Sequence, residues 1–195
     1  MSGTAAGRPR SEKSRTAILE ATIELLLEGG YSRLTLEGIA SRAGVGRQTL
    51  YRWWASKDEI VAESITDGRM LPTELPIPDT GDIEADLTQW LTEFARGLDE
   101  EHAAARARLL TAATAESALV AHAFNQRVAG PYRRELAQRL QQAVDSGELR
   151  PDAPVHVVAD ALMGATLYSV FLRSPASEPT ALLAGVLLDG IRQTH

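Results

Sequence analysis

"GRQTLYRWWASKDE", residues 46–59, sets two tryptophans side by side in a chain that has only three. Arg47, Arg52 and Lys57 stand around them, and no acid comes before Asp58. A helix turns about 100° per residue, so adjacent side chains leave on different faces. Trp53 and Trp54 therefore cannot both enter one core. Leu50 and Trp54 are four apart and share a face, which makes them the inward pair. Arg47, Gln48, Tyr51 and Arg52 cover the opposite side. Two placements are open to Trp53: its face or N–H meets a partner at the surface, or it packs under the following domain.

Working outward, "TLEGIASRAG" offers Thr35 as N-cap, with Leu36, Ile39, Ala40 and Ala43 on one face. The tight turn Ala43-Gly44-Val45-Gly46 joins it to the tryptophan-bearing helix, and glycine at 44 permits the sharp bend. Before it, "SEKSRTAILEATIELLLEGGY" spaces Ile18, Ala21, Thr22, Leu25 and Leu26 helically and stops at Gly29-Gly30. After it, Ser56 and Glu59 form a capping box that opens a fourth helix, expected to reach Met70. Three short helices with a tight second turn form the pattern of a helix-turn-helix, whose last helix enters the DNA major groove.

The residues fit that chemistry. Arg47 and Gln48 occupy the first turn, the part that reaches base edges. Arginine pairs bidentately with guanine and glutamine with adenine. Thr49, Tyr51 and Trp53 carry a hydroxyl or indole N–H that can donate to phosphates, and Lys57 reaches the backbone from the next helix. The charge balance agrees. Residues 42–57 hold four bases and no acid, while the whole chain is −6 and residues 61–195 are −8. An acidic protein with one basic stretch suits contact with a polyanion at one place; a solvated run of charge is the other reading of the same balance.

The head resembles the DNA-binding domain of the TetR family of bacterial transcriptional regulators. The resemblance runs from Ala17 to Val61, about a quarter of the chain, and is strongest in "T-x-x-x-I-A-x-x-A-G-V" (35–45) and "T-L-Y-x-x-W-x-S-K" (49–57). The double tryptophan looks like one branch of that family. Gly46 departs from it, since many members place serine or threonine there. The resemblance implies a homodimer that binds a near-palindromic operator, represses, and is released by a small molecule in its C-terminal domain. It assigns DNA contacts to Thr35, Arg47, Gln48, Thr49, Tyr51, Trp53 and Lys57; Arg52 joins them from its place on the basic side. Activation with the same fold, or an interaction module without an effector, are the alternatives.

The rest of the chain reads as helix, making the fold class all-α. "LPTELPIPDTGD" (71–82) breaks the chain with three prolines and a glycine. Helices are expected near 82–100 and 102–114. A long pattern at 117–146 must kink or divide at Pro131, and two final helices span about 154–173 and 178–193. Three parts are expected: a mobile arm (1–10), a DNA-binding head (11–57) and a ligand-binding and dimerisation domain (58–195). The arm's "GRPR" (7–10) has two readings, a minor-groove contact or a solvated tail.

The last two helices are the dimer candidates; completing the core of a single chain is their other reading. Ala161, Gly164 and Ala165 are small, and Tyr168, Phe171, Leu172, Leu183, Val186, Leu187 and Ile191 supply apolar area. Glycine inside a helix, as at 164 and 185, costs about 1 kcal/mol, which close approach of another helix would justify. Trp90, Phe94, Leu110, Phe124, Met163 and Leu167 are candidate ligand walls; ordinary core is the other reading of each.

Composition narrows the function classes. With no cysteine there is no disulfide or thiol chemistry. His102, His122 and His156 lack metal-ligand spacing. No nucleophile–base motif or phosphate loop is present, so neither an enzyme nor a cofactor is expected. No apolar run of about 18 residues is seen, and no signal peptide, which places the protein in the cytoplasm without a membrane partner.

Overall fold

A computed structural model describes residues 8–68, 75–99, 101–172 and 177–192, without the side chains of 8–11, 99, 101–102 and 177–181. Its elements are α1 (Arg8–Arg33), α2 (Leu36–Arg42), α3 (Arg47–Tyr51), α4 (Lys57–Thr66), α5 (Ile83–Asp99), α6 (Glu101–Glu116), α7 (Ala118–Phe124), a π turn (Asn125–Ala129), α8 (Gly130–Asp145), α9 (Val155–Leu172) and α10 (Ser177–Asp189). The described residues contain no strand, only one antiparallel bridge between Leu149 and Arg192. The all-α expectation holds.

Helix boundaries agree with the signals that predict them. Gly30 breaks α1 with φ 73°, and Gly44 makes the turn after α2 with φ 65°. Both are left-handed conformations that a Cβ would strain. Thr35 caps α2 by accepting from the Gly38 N–H at 3.1 Å. Ser56 caps α4 by accepting from the Glu59 N–H at 3.3 Å. The return bond of the box is shifted by one: Glu59 accepts from the Ala55 N–H at 2.7 Å, one residue earlier than the pattern predicts. Helix α1 starts at Arg8, so it takes in three residues assigned to the arm. Residues 1–7 and the side chains of Arg8, Pro9 and Arg10 lie outside the described residues.

Helix α4 ends at Thr66, short of the expected Met70, which itself lies outside the described residues; Gly68 comes next with φ 77°. The long pattern at 117–146 divides as Pro131 requires. Residues 125–129 form a π turn, and Pro131 sits in the first turn of α8, where its missing N–H costs no helical bond.

Packing divides the chain into two compact units: residues 1–72 with 109–127, and 73–108 with 128–195. In the first, α4 packs against α1 and α7, and α2 against α1 and α3. Its core holds Ile18, Leu26, Ile39, Leu50, Trp54, Ile60 and Val120. Arg42, one of the four bases of the basic stretch, clips α2 to α1 by donating to Glu24 at 3.1 Å and Glu28 at 2.7 Å.

In the second unit, α5 packs on α10, and α9 on α8 and α10, around Leu87, Leu91, Leu136, Leu140, Leu162 and Leu188. A buried ion pair crosses it. Arg139 of α8 donates to Asp86 of α5 at 2.7 Å, and to the Pro78 carbonyl at 3.2 Å. Thr80 donates to the same carboxylate at 2.7 Å. Burial works to raise the Asp86 carboxyl, but the bonds from Thr80 and Arg139 outweigh it and leave it below the usual range. Helix α9 is the most apolar helix of this unit. Its 18 residues reach a mean hydropathy of 1.6, long and apolar enough to cross a membrane, although fewer than half of them are buried in the unit. His156, Asp160 and Thr166 interrupt the run in sequence and hide it from a search for unbroken apolar residues.

Candidate nucleic-acid interface

Helix α3 is only five residues long. Arg52 and Trp53 therefore lie in the turn after it, where the N–H groups of Trp53 and Trp54 both donate to the Leu50 carbonyl, at 3.0 and 3.1 Å. The inward pair is as expected: Leu50 is buried and Trp54 is 3% exposed. Trp54 is also pinned, because its indole N–H donates to Glu63 of α4 at 2.5 Å. Arg15 of α1 donates to the other oxygen of Glu63 at 2.6 Å. One ring thus ties the recognition turn to two helices.

Trp53 is 38% exposed, its ring 6.1 Å from that of Trp54 and tilted by 34°. Thr35, Arg47, Gln48, Tyr51 and Arg52 are also exposed, while Thr49 and Lys57 are half-buried. The Arg47 guanidinium lies 3.3 Å from Glu37 in the first turn of α2. That contact brings the starts of α2 and α3, and with them Thr35 and Arg47, to one place.

Lys57 is more constrained than its sequence position suggests. Its ammonium donates to the Tyr31 carbonyl at 3.0 Å and sits 4.3 Å from the centre of the Tyr31 ring. An ammonium has three N–H bonds, so this anchoring fixes the side chain and leaves donors for a phosphate.

Asp58, beside it, was not singled out by the sequence. The Tyr31 hydroxyl donates to one of its oxygens at 2.5 Å and the Ser117 hydroxyl to the other at 2.7 Å. Those two bonds hold the Asp58 carboxyl below the usual carboxylate range. Burial, then the neighbouring carboxylate, pushes the Tyr31 phenol up to about 12. The three residues join the ends of α1, α4 and α7. A Ser before an apolar run marks the cap of α7, but nothing local signals its partner 59 residues away.

The other candidate sets separate by unit. Leu110 and Phe124 belong to the first unit; Trp90, Phe94, Met163 and Leu167 belong to the second. Trp90 stacks on Phe94 at 5.1 Å, Tyr132 meets Phe94 edge-on at 4.9 Å, and the Trp90 indole donates to the Leu75 carbonyl at 2.6 Å. Grooves on the second unit run along the polar face of α5, past Thr88 and Arg96, and along α8 past Gln138 to His156; none of the six candidates lines them.

The dimer candidates lie mostly in solvent. Ala161, Gly164, Tyr168, Phe171, Leu172 and Val186 are exposed, Tyr168 by 63% and Val186 by 69%. Ala165, Leu183 and Leu187 are half-buried, and Ile191 is buried within its own unit. Val157 and Leu182, which the sequence pattern does not mark, are exposed too. Positions 157, 161, 164, 168 and 171 fall at intervals of four and three and form one stripe along α9.

Comparison with known proteins agrees with this head. Residues 18–64 match the model described as bacterial regulatory proteins, tetR family, and residues 77–186 match the tetracyclin repressor-like C-terminal domain. The uncharacterized HTH-type transcriptional regulator YdeS of Bacillus subtilis is 32% identical over 85% of this chain and 82% of its own. The DNA-binding transcriptional repressor TetR of Mycobacteroides abscessus is 25% identical over 79% of this chain and 82% of its own. The crystal structure of the TetR family transcription regulator SCO0332 is 32% identical, covers 93% of this chain and all of its own, and superposes with a TM-score of 0.60. With the exposed Arg47–Gln48 turn on a helix-turn-helix head and both family domains in order, the chain belongs to the TetR family of DNA-binding transcriptional regulators.

Proposed function

We propose that the protein is a homodimeric repressor that binds a palindromic operator in the cytoplasm and leaves it when a small molecule binds the C-terminal region. The observation that carries the reading is the recognition turn: Arg47 and Gln48 project into solvent from a helix that Leu50 and Trp54 anchor. By role, residues 11–57 form the DNA-binding head and 58–195 the ligand-binding and dimerisation domain, a functional division that differs from the two packing units. Thr35, Thr49, Tyr51, Arg52, Trp53 and Lys57 hold the phosphates on either side of the bases that Arg47 and Gln48 read.

The stripe on α9 supports a dimer. A row of apolar side chains left in water marks an interaction surface. Gly164 stands in that row, and a Cβ built there meets nothing within 4 Å among the described residues outside its own helix backbone. The room at Gly164 suits the close approach of a second helix. Gly185 does not share this role, since its nearest neighbour is Glu84 of α5 at 3.8 Å. Repression is supported by the named activity of the Mycobacteroides abscessus relative. Trp90, Phe94, Met163 and Leu167 within the second unit, and Leu110 and Phe124 within the first, remain separate proposed effector walls.

Fluorescence anisotropy with a labelled duplex from upstream of the gene, at about 150 mM salt with random competitor, tests the reading. Tight binding, lost with Arg47→Ala, at two chains per duplex is the expected result. No preference there, and none in a selection from random duplexes, would replace it with an interaction module.

A further inference from the structure

A groove of about 530 Å³ opens on the first unit beside the recognition turn. Trp53 and Trp54 form one wall, Leu119 and His122 of α7 contribute another, and Glu59 and Glu63 of α4 line it as well. Trp53 and Leu119 are among the large apolar side chains that this unit leaves in water, at 38% and 44% exposed. The exposed ring is Trp53, backed by the buried Trp54 ring at 6.1 Å.

Its charge has one sign. Among the described residues no lysine or arginine lines it. Glu63 is already matched by Arg15. Glu59 receives only the neutral N–H of Ala55, and among the described residues no cation pairs with it. A phosphate or carboxylate would be repelled here, and a neutral body would leave the Glu59 charge unanswered. A cation with an apolar body satisfies both features, because indole faces attract cations more strongly than other aromatic side chains do.

We propose that this groove is a binding site for an organic cation, held by the exposed Trp53 ring, the Leu119 side chain and the charge of Glu59. Trp53 belongs both to the groove and to the proposed DNA surface, so an occupied groove weakens operator binding. That consequence rests on the function proposed above; the binding itself does not.

Tetraphenylphosphonium, titrated calorimetrically into the full chain without DNA, is the probe, with triphenylphosphine oxide as a neutral counterpart. Saturable binding of the cation and none of the neutral compound is expected. Trp53→Ala should weaken it about tenfold and Glu59→Gln about fivefold. Glu59→Gln keeps the acceptor for Ala55 and removes only the charge, so it remains informative if a thermal melt shows Trp53→Ala to be unfolded. No binding up to about 1 mM, equal binding of the neutral compound, or an affinity that Glu59→Gln leaves unchanged each overturns the proposal. The last result would place the cation elsewhere on the protein.

Discussion

Arg47 carries two opposing interactions. Its guanidinium is the proposed base-reading group, yet in the free protein it lies beside Glu37. Replacing Arg47 with alanine should cost about 1–3 kcal/mol at the specific site and relax one base position. Glu37→Ala should act in the other direction. It removes an exposed carboxylate from the DNA face, and affinity should rise about threefold at low salt and less at high salt. Competition binding at two salt concentrations measures both. Lys57→Ala should weaken all duplexes alike and lower the salt slope by about 1. A changed base preference with an unchanged slope would reverse the roles of Arg47 and Lys57. At this scale the sequence showed which side chains face outward, because helical spacing fixes that. It did not show which of the exposed bases were already engaged. Arg42 looks like its neighbours in the basic stretch, but Glu24 and Glu28, 18 and 14 residues away, hold it against α1. Pairings at such separations leave no local pattern.

Between residue and domain, the helices were legible where their ends carry chemistry. Thr35, Gly44 and Ser56 mark caps and turns through bonds made within four residues, and the structure keeps each one. The π turn at Asn125–Ala129 was foreseen only as an interruption, since Pro131 excludes a continuous helix without specifying what replaces it. The Asp58 junction was invisible, because its partners Tyr31 and Ser117 come from other helices. Its effect can be read against pH. The Asp58 carboxyl is lowered by folding, so its contribution is complete above the ordinary carboxylate range near pH 4 and is lost as pH falls through the lowered value. Asp58→Asn should therefore destabilise the protein at neutral pH and make its melting temperature less sensitive to acid. A denaturation series from pH 7 to about pH 3 would show this as a shallower slope. Ser56→Ala, which removes a cap without touching a charge, should cost about 1 kcal/mol at every pH in that range.

For the molecule as a whole, two features of the second unit make opposite demands on water. The stripe on α9 leaves apolar surface exposed and calls for a cover. Tyr168→Glu combined with Val186→Glu should convert a dimer to a monomer in sedimentation and abolish tight operator binding while the helical content stays intact. Dimeric sedimentation by the double variant would move the interface off this stripe. The sequence pointed to this helix through its small residues and missed the exposed Val157 of the stripe and the exposed Leu182 of α10. It also included Ile191, which the unit buries, since apolar spacing alone cannot separate a helix face turned to the core from one turned outward. The Asp86–Arg139 pair makes the reverse demand, holding two charges away from water. Asp86→Ala would leave the buried guanidinium with only the exposed Asp79, 3.6 Å away, and the Pro78 carbonyl, and should cost about 3 kcal/mol, measured by urea denaturation.

That pair also constrains how the sequence can change over generations. Either substitution alone takes from a buried charge its close buried partner, leaving Arg139 only the exposed Asp79, so a lineage that alters position 86 must pass through a weakened protein before position 139 can change with it. Apolar residues of similar volume at both positions can be as stable as the pair or more so, yet single steps do not reach that arrangement cheaply. Among the relatives of this regulator, the two positions should vary together: both charged, or both apolar, with mixed combinations rare. The geometry that locks α5 to α8 is in this sense a historical constraint, and an alignment deep enough to show the two columns changing in step would record it.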